Sequence, residues 1–195
     1  MNVPCAHVRE LTSIIDEEAN RLNLLVTDAV RMAKIDASQI HLERRAVAIK
    51  EFVDRVLEDF GPRFEGRKLN LSLGEDLPSV SADPDLASMA LRQVVDNCLK
   101  YSPPASPLAV AAHAEADRVT IRVRDEGPGI PEREQDRVFD RFYRRHSAQD
   151  RAPGSGLGLY ITREIVRAHG GDLWVENALG AGSEFCLTLP KLEGA

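Results

Sequence analysis

The alternation of apolar and polar residues between positions 118 and 125 constrains the possible fold of this chain more than any other sequence feature. Val119, Ile121 and Val123 face one side of the predicted strand, and polar residues alternate with them. A sheet with one apolar face needs a second layer to cover that face. The apolar residues of 49–60 recur with the period of an amphipathic helix, which suits that role. We therefore predict an α+β fold, a two-layer α/β sandwich in which helices cover one face of a mixed sheet.

The rest of the sequence supplies the other helices and strands of such a fold. Asp83-Pro84 is typical of a helix start, because aspartate caps the first N–H groups and proline fits the first turn. Gly61-Pro62 ends the helix that begins at residue 49. Further helices are predicted over 84–101, over 133–142, and from the glycine-rich segment 154–158 to about 169. Further strands are predicted over 68–73, 107–114, 172–176 and 183–190.

A long N-terminal helix is predicted over residues 9–35. Its apolar residues are spaced three and four apart, as in the seam of a coiled coil. They are Leu11, Ile15, Leu22, Leu25, Ala29 and Met32. Such a stripe needs a partner, which is a helix of another chain, a missing segment or the rest of this chain. The polar stretch 36–48 follows, so we divide the chain into a helix with connector, 1–47, and a second domain, 48–192.

The excess of acidic residues excludes nucleic acid as the main partner. Aspartate and glutamate number 31 against 25 lysines and arginines, which gives a net charge of −6, and there is no basic footprint. Three widely spaced cysteines fit neither a disulfide framework nor a metal site. The longest apolar stretch, 108–112, is far shorter than the ~18 residues that span a bilayer, and the first residues lack a signal-peptide pattern. We expect a cytoplasmic chain without direct membrane contact.

Gln93, Asn97 and Lys100 share one face of the predicted helix 84–101, since they stand four and then three residues apart. A solvated helix face is the simple interpretation. The functional interpretation is that the Asn97 amide oxygen binds Mg²⁺ and that Lys100 binds a phosphate. Mg²⁺ prefers oxygen ligands and shares its coordination shell with phosphate oxygens. A neutral amide supplies such an oxygen without repelling the phosphates.

Two glycine-rich segments are candidates for ligand contact. Asp125 ends a strand and is followed by Gly127 and Gly129. Its carboxylate can accept a hydrogen bond from an exocyclic amine such as that of adenine, and glycines allow close approach of a ligand to the backbone. An ordinary turn between a strand and a helix also favours these residues. The segment 154–158 begins a helix, where backbone N–H groups bind phosphate, although its spacing is not that of the Walker motif.

Four short segments occur together and in one order. They are Asn-x-x-Lys-Tyr-Ser at 97–102, Asp-x-Gly-x-Gly-Ile at 125–130, Phe-Asp-Arg-Phe-Tyr-Arg at 139–144 and Gly-x-Gly-Leu-Gly-Leu at 154–159. In this order they resemble the catalytic ATP-binding domain of the sensor histidine kinases of two-component systems, a branch of the Bergerat-fold ATPases that includes gyrase. The resemblance covers about 49–190.

Two weaker resemblances accompany the four segments. Residues 9–47 resemble the second helix of the dimerisation and histidine-phosphotransfer domain, through the segment 16–23. Gly66-Arg67-Lys68-Leu69 and Glu75-Asp76-Leu77-Pro78 resemble the potassium-responsive sensor kinases.

The family resemblance implies a role for each segment. Asn97 would ligate Mg²⁺, Lys100 would meet the phosphates and Arg144 would reach the γ-phosphate, and these three are the implied catalytic residues. Asp125 would receive the adenine amine. The implied nucleotide-binding residues are Gln93, Asn97, Lys100, Tyr101, Asp125, Gly127, Gly129, Ile130, Phe142, Gly154, Ser155, Gly156, Leu157 and Gly158.

A lid over the nucleotide is expected at about 140–156, because small and charged residues dominate this segment. By the resemblance, Phe139 and Phe142 would anchor that lid. Gly180 and Gly182 resemble the last glycine-rich segment of the family, although a plain hairpin turn explains them equally well.

Two features depart from the family pattern. The family commonly has Asn where this chain has Gln93, and hydrolysing relatives such as gyrase have a Glu that acts as general base. Glutamine cannot take a proton, so we expect a site that holds ATP for transfer. The family's acceptor histidine precedes an acidic residue, whereas His7 precedes Val8 and Arg9, and the other histidines also lack the motif. His169 fits a helix C-terminus, where a cation is favoured. We expect the acceptor to be absent and phosphate transfer to occur only in trans.

The predicted function is the transfer of the ATP γ-phosphate to a histidine with the help of Mg²⁺. The implied partners are ATP or ADP, a phosphoacceptor histidine domain, the response regulator of the parent kinase and a second copy bound through the N-terminal helix. The chain would then be the cytoplasmic part of a membrane-anchored sensor or a cytoplasmic kinase. The alternatives are an anti-sigma-type protein-serine kinase on the same fold and a non-enzymatic ATP-gated interaction module.

Overall fold

A five-stranded mixed sheet forms the centre of the fold. The computed structural model of the chain describes residues 5–36, 40–144, 155–177 and 182–192. The helices in these ranges are α1 (Cys5–Asp36), α2 (Ile49–Glu58), α3 (Pro84–Tyr101), α4 (Glu132–Gln135) and α5 (Gly158–Ala168). The strands are β1 (Arg45–Val47), β2 (Leu69–Leu73), β3 (Val80–Ala82), β4 (Leu108–Ala114), β5 (Arg118–Arg124), β6 (Leu173–Asn177) and β7 (Ser183–Pro190). Short 3₁₀ turns lie at Gly61–Phe64 and Arg137–Phe139.

The sheet has the strand order β2-β4-β5-β7-β6. β2 runs parallel to β4, and the other neighbouring strands are antiparallel. Val119, Ile121 and Val123 of β5 are at most 1% exposed, because α3 and α5 pack over this face and α2 packs on α3. The core therefore lies between one face of the sheet and these helices, which confirms the predicted two-layer α+β fold.

Polar side chains cover the opposite face of the sheet. The Nη1 atom of Arg122 lies 2.8 Å from Glu184 and 3.2 Å from Glu176, and the same nitrogen lies 3.5 Å from the sulfur of Cys186. Glu176, Glu184 and Cys186 lie as close together as metal ligands. The guanidinium of Arg122 already neutralises this cluster, so the cluster is explained as part of the sheet surface.

Most predicted elements are confirmed, and two regions differ. The predicted helix 133–142 is instead α4 followed by a 3₁₀ turn, because the chain turns to bury Val138 and Phe139 in the core. The strands β1 and β3 were not predicted. Each has only three residues, which is too short for alternation to be recognised.

The connector after α1 is attached to the sheet domain rather than free. β1 pairs with β3 as an antiparallel ribbon. The N–H of Glu43 donates to Asp83 Oδ2 at 3.0 Å, and Arg44 donates to the carbonyl of Ala168 at 3.0 Å. The last residues of the predicted 1–47 unit therefore pack on the ends of α3 and α5.

α1 keeps most of its apolar stripe exposed. Among the side chains of α1 that the structure describes, the large apolar residues more than half exposed are Leu11, Ile14, Ile15, Leu22, Val26 and Val30. Near the C-terminal end of the helix, Met32 and Ile35 pack partly against the core of the sheet domain. Among the helices that the structure describes, none combines the length and the apolarity that crossing a membrane requires.

His169 is not the cation at a helix end that the sequence suggested. Its side chain is fully buried, its Nε2 accepts the N–H of Asp83 at 3.0 Å, and its Nδ1 lies 2.8 Å from the carbonyl of Ile165. Burial lowers the pKa of His169, and so does the charge of Arg44. The ring is therefore neutral, with its proton on Nδ1, and it joins the end of α5 to the start of α3.

We expect the free energy of unfolding to fall as the pH drops from 7.5 to 5.5. Between the lowered pKa of His169 in the fold and its ordinary value of about 6.5, the unfolded chain binds more protons, so stability is lost as the pH falls. The His169→Ala variant should be less stable by about 3 kcal/mol at pH 7.5, because it leaves a cavity and an unpaired Asp83 N–H. Denaturant unfolding at several pH values measures both effects. The loss of stability between pH 7.5 and 5.5 should be smaller in His169→Ala than in the control His113→Ala, which replaces an exposed histidine. Equal losses in the two variants would contradict the assignment of this pH dependence to His169.

Candidate nucleotide-binding site

α3 supplies the helix face on which the sequence analysis located the phosphate end of the site. Its start is fixed by Asp83, whose Oδ1 accepts two backbone N–H groups of the first turn at 3.1 Å. Its apolar side is buried against the sheet. Gln93, Asn97 and Lys100 lie on the other side and are partly exposed. In the described part of the chain the Asn97 amide makes no hydrogen bond, so its oxygen is free to bind a ligand.

Lys100, near the C-terminal end of α3, is under the electrostatic influence of a second cation, Arg144. The ammonium of Lys100 lies 5.2 Å from the ring centroid of Tyr101. Burial lowers the pKa of Lys100, the carboxylate of Asp96 raises it, and the positive charge of Arg144 lowers it again. The positive charge of Arg144 therefore acts on Lys100. A pair of like charges is suited to bind an anionic group.

Asp125 forms a second part of the candidate site. It is 3% exposed, and its Oδ1 accepts the N–H groups of Gly127 at 2.7 Å and Ser183 at 3.3 Å. Burial raises the pKa of Asp125, and these two hydrogen bonds oppose the rise. The backbone N–H groups of Gly127 and Ser183 therefore orient the Asp125 side chain, which lies where the end of β5 meets the start of β7.

Three glycines allow the backbone to close around Asp125. A Cβ on Gly127 would lie 2.7 Å from the carbonyl oxygen of Tyr101, and Gly129 has a φ of +70°. Gly182 has a φ of +97°, and a Cβ on it would collide with the carbonyl of Asp125. Gly182 therefore belongs to the wall around Asp125 and is more than part of a hairpin turn. Gly180 lies outside the described residues.

The glycine-rich segment before α5 packs against α3. A Cβ on Gly158, the first residue of α5, would lie 2.7 Å from Nε2 of Gln93. A Cβ on Gly156, with a φ of +74°, would lie 2.9 Å from the carbonyl of Tyr143. Leu157 is 3% exposed. The loop is thus held between α3 and residues 142–143, near the start of the predicted lid.

Ser155 connects this loop to α1. Its Oγ accepts the N–H of Leu157 at 3.1 Å and donates to Asp28 Oδ2 at 2.8 Å. Gly154 and most of the predicted lid, 145–154, lie outside the described residues. At the start of the lid, Phe139 is buried, whereas Phe142 is 63% exposed with a φ of +62°. Phe139 alone therefore packs into the core.

The chemistry of these residues fits a nucleoside triphosphate with Mg²⁺. They combine a buried carboxylate, Asp125, that accepts hydrogen bonds with the cations Lys100 and Arg144. The amide oxygens of Gln93 and Asn97 are ligands of the kind that Mg²⁺ takes beside phosphates. The eight residue steps from Gln93 to Tyr101 rise by about 12 Å along α3, a span that a nucleotide can bridge.

Three residues near the site were missed by sequence analysis. Ser183 binds Asp125 through its backbone, Asn177 binds the backbone of Ile130, and Arg67 is 9% exposed. Arg67 donates to Ser102 Oγ at 2.8 Å, and its positive charge opposes the rise in the pKa of Asp125. An arginine inside the Gly-Arg-Lys-Leu segment was a visible signal, whereas the roles of Asn177 and Ser183 depend on contacts distant in sequence.

Comparison with known proteins agrees with this geometry. The family model described as "Histidine kinase-, DNA gyrase B-, and HSP90-like ATPase" matches residues 82–193. The adaptive-response sensory kinase SasA of Synechococcus sp. (strain JA-2-3B'a(2-13)) is 34% identical over 185 residues, which are 93% of this chain and 49% of that protein. The sensor histidine kinase WalK of Bacillus subtilis (strain 168) is 34% identical over 188 residues, which are 92% of this chain and 30% of that protein. The chain therefore spans half or less of the length of these relatives.

A solved structure shares the same architecture. The full-length ShkA structure in complex with AMPPNP superposes with a TM-score of 0.83 and 28% sequence identity. The match covers 96% of this chain and 40% of that chain.

Proposed function

The chain belongs to the family of histidine kinase-, DNA gyrase B- and HSP90-like ATPases, and from that premise we propose that it is the ATP-binding catalytic portion of a two-component sensor histidine kinase. Its reaction is the transfer of the γ-phosphoryl group of ATP to a histidine nitrogen. The bond from the γ-phosphorus to the β–γ bridging oxygen breaks, a nitrogen–phosphorus bond forms, and ADP leaves. The proton of the imidazole passes to a base on the acceptor.

One observation carries this proposal: α3 contacts both ends of the candidate site. Its residue Tyr101 touches the Gly127 loop beside Asp125, and its residue Gln93 touches the start of α5. A buried carboxylate is suited to the amine of adenine, and the cations and helix start are suited to phosphates. The ShkA complex with AMPPNP supports ATP as the nucleotide.

The residues of α3 would then hold and stabilise the phosphates. Asn97, with Gln93 beside it, would hold Mg²⁺, which neutralises phosphate charge when it is bound. Lys100 and Arg144 would stabilise the charge that spreads over the phosphoryl oxygens during transfer. Because Gln93 cannot accept a proton, we propose that the site keeps ATP for transfer instead of hydrolysing it.

We propose that residues 1–47 belong to a dimerisation and histidine-phosphotransfer domain and residues 48–192 to the ATP-binding domain. The exposed apolar stripe of α1 supports a helical partner, which we propose is a second copy of the chain. The phosphoryl group would go to a histidine supplied in trans and then to a response regulator. The use of ATP locates this proposed reaction in the cytoplasm.

The proposal is tested by incubating the chain with γ-labelled ATP, Mg²⁺ and a separately produced histidine-phosphoacceptor domain of a related sensor kinase. We expect an acid-labile, base-stable label on the histidine of the acceptor domain, and no label when Mg²⁺ is removed by chelation. Mass mapping then locates the phosphorylated residue.

Other outcomes would contradict parts of the proposal. Label on a serine of a partner protein would favour the anti-sigma-type kinase. Bound ATP with no label on any acceptor would favour an ATP-gated interaction module. Label on His7 of the chain itself would show that transfer does not require an acceptor in trans.

A further inference from the structure

Asn177, the last residue of β6, makes an unusual contact with the loop after Asp125. The N–H of Ile130 donates to Asn177 Oδ1 at 3.0 Å, and Asn177 Nδ2 donates to the carbonyl of Ile130. The two residues are 47 positions apart in sequence. One side-chain amide thus pairs with both polar groups of one residue, as a neighbouring strand would.

Ile130 depends on this contact because it is buried. Its side chain and backbone together are 8% exposed, so water is a poor substitute partner for its N–H and carbonyl. Gln135 reaches the same carbonyl only at 3.5 Å. A buried backbone group without a hydrogen-bond partner is destabilising, so the loop would shift if the Asn177 amide were lost.

The segment from Asp125 to Ile130 is consequently held at both ends. At the first end, Ser183 of β7 binds Asp125 through its N–H and its carbonyl. At the second end, Asn177 binds Ile130. Between them, Gly129 adopts a positive φ, and a Cβ on it would lie 3.7 Å from Asn177 Oδ1 and 3.2 Å from the carbonyl of Gly182. The glycines of the loop cannot move far while both ends are bound.

We propose that Asn177 is a positioning residue of the nucleotide site, which sets the affinity and the base selectivity by holding the loop of Gly127 and Gly129 beside Asp125. This inference rests on the proposed function. Asp125 accepts a hydrogen bond from the amine of adenine, whereas guanine presents a carbonyl at the corresponding position. Recognition of adenine therefore depends on the position of the base relative to the Asp125 carboxylate. The loop from Asp125 to Ile130, held by Ser183 and Asn177, determines that position.

The test compares Asn177→Leu with the matched variant Asn70→Leu. Leucine has the same number and branching of side-chain heavy atoms and makes no hydrogen bonds. Asn70 is exposed in β2, at the opposite edge of the sheet. Dissociation constants for ATP and GTP are measured by titration, and the thermal midpoint is measured without nucleotide. We expect ATP binding about tenfold weaker in Asn177→Leu and an ATP-to-GTP preference reduced by a similar factor. Asn70→Leu should match the wild type.

The outcomes distinguish a failure of the proposed ATP-binding function from a failure of the proposed role of Asn177. A wild-type chain that binds no ATP would overturn the proposed function itself. A wild-type chain that binds ATP, with unchanged affinity and base preference in Asn177→Leu, would overturn the role of Asn177, even if the thermal midpoint fell. If Asn177→Leu does not fold, Asn177→Ser, whose hydroxyl keeps part of the hydrogen bonding, should bind ATP with intermediate affinity and intermediate base preference.

Discussion

Replacing Asp125 by asparagine is expected to weaken ATP binding by more than tenfold. One carboxylate oxygen of Asp125 already accepts the N–H groups of Gly127 and Ser183. An asparagine oxygen can accept the same two bonds, which turns its NH₂ group toward the ligand. That group and the exocyclic amine of adenine are both donors, so a favourable contact becomes an unsatisfied one. A loss of 1.4 kcal/mol corresponds to a factor of ten in affinity, and hydrogen bonds to charged groups contribute about 1.5–3 kcal/mol.

The fold should tolerate Asp125→Asn. Burial raises the pKa of Asp125, which means that the site disfavours the charge, and a neutral amide of the same size removes that penalty. We expect the thermal midpoint without nucleotide to stay near that of the wild type while the affinity falls. Isothermal titration with ATP measures the effect, and Asp117→Asn, at an exposed turn, is the control. Equal affinities in the wild type and Asp125→Asn would remove Asp125 from the adenine site.

Replacing Asn97 by alanine is expected to abolish the effect of Mg²⁺ on ATP binding. Its amide oxygen is the proposed protein ligand of the metal, and in the described part of the chain no other group uses that amide. Without the metal, phosphate charge is not neutralised, so transfer to an acceptor histidine should fall by about 100-fold, as when other preorganised charge contacts are removed. Alanine is the best helix former, so α3 should remain folded.

The Mg²⁺ effect is measured by titrating ATP with and without the metal in the wild type, Asn97→Ala and Asn70→Ala. The last variant removes an exposed amide of the edge strand β2 and should behave as the wild type does. If Asn97→Ala retained the full dependence on Mg²⁺, the metal would have to be held elsewhere, and Gln93 would be the next residue to change.

Regular elements with long periodic patterns could be predicted from the sequence. α3 was predicted with both ends correct, because Asp83-Pro84 is a local capping signal and the apolar spacing persists over 18 residues. The side of α3 that carries Gln93, Asn97 and Lys100 followed from the helical period alone. The glycine-rich segments were visible as well, since close approach and positive φ favour glycine irrespective of the surroundings.

Residues whose roles come from distant contacts could not be predicted in this way. His169 stands at the end of a helix, where local reasoning favours a cation, but its ring is buried between α5 and the start of α3. Phe142 belongs to the same short motif as Phe139, yet only Phe139 reaches the core. Whether an aromatic side chain is buried depends on the packing of other segments, which a short motif does not describe.

The sequence by itself determined the longer helices, most strands, the α+β class and the polar face of α3, because each depends on spacing and capping within one segment. Only the tertiary structure decided which segments surround Asp125. Ser183 begins β7, Gly182 directly precedes it, and Asn177 ends β6. The strand order β5-β7-β6 brings these strand ends to the same end of the sheet as the end of β5. Strand pairing joins residues roughly fifty positions apart, and the energies that select one pairing are spread over the whole core.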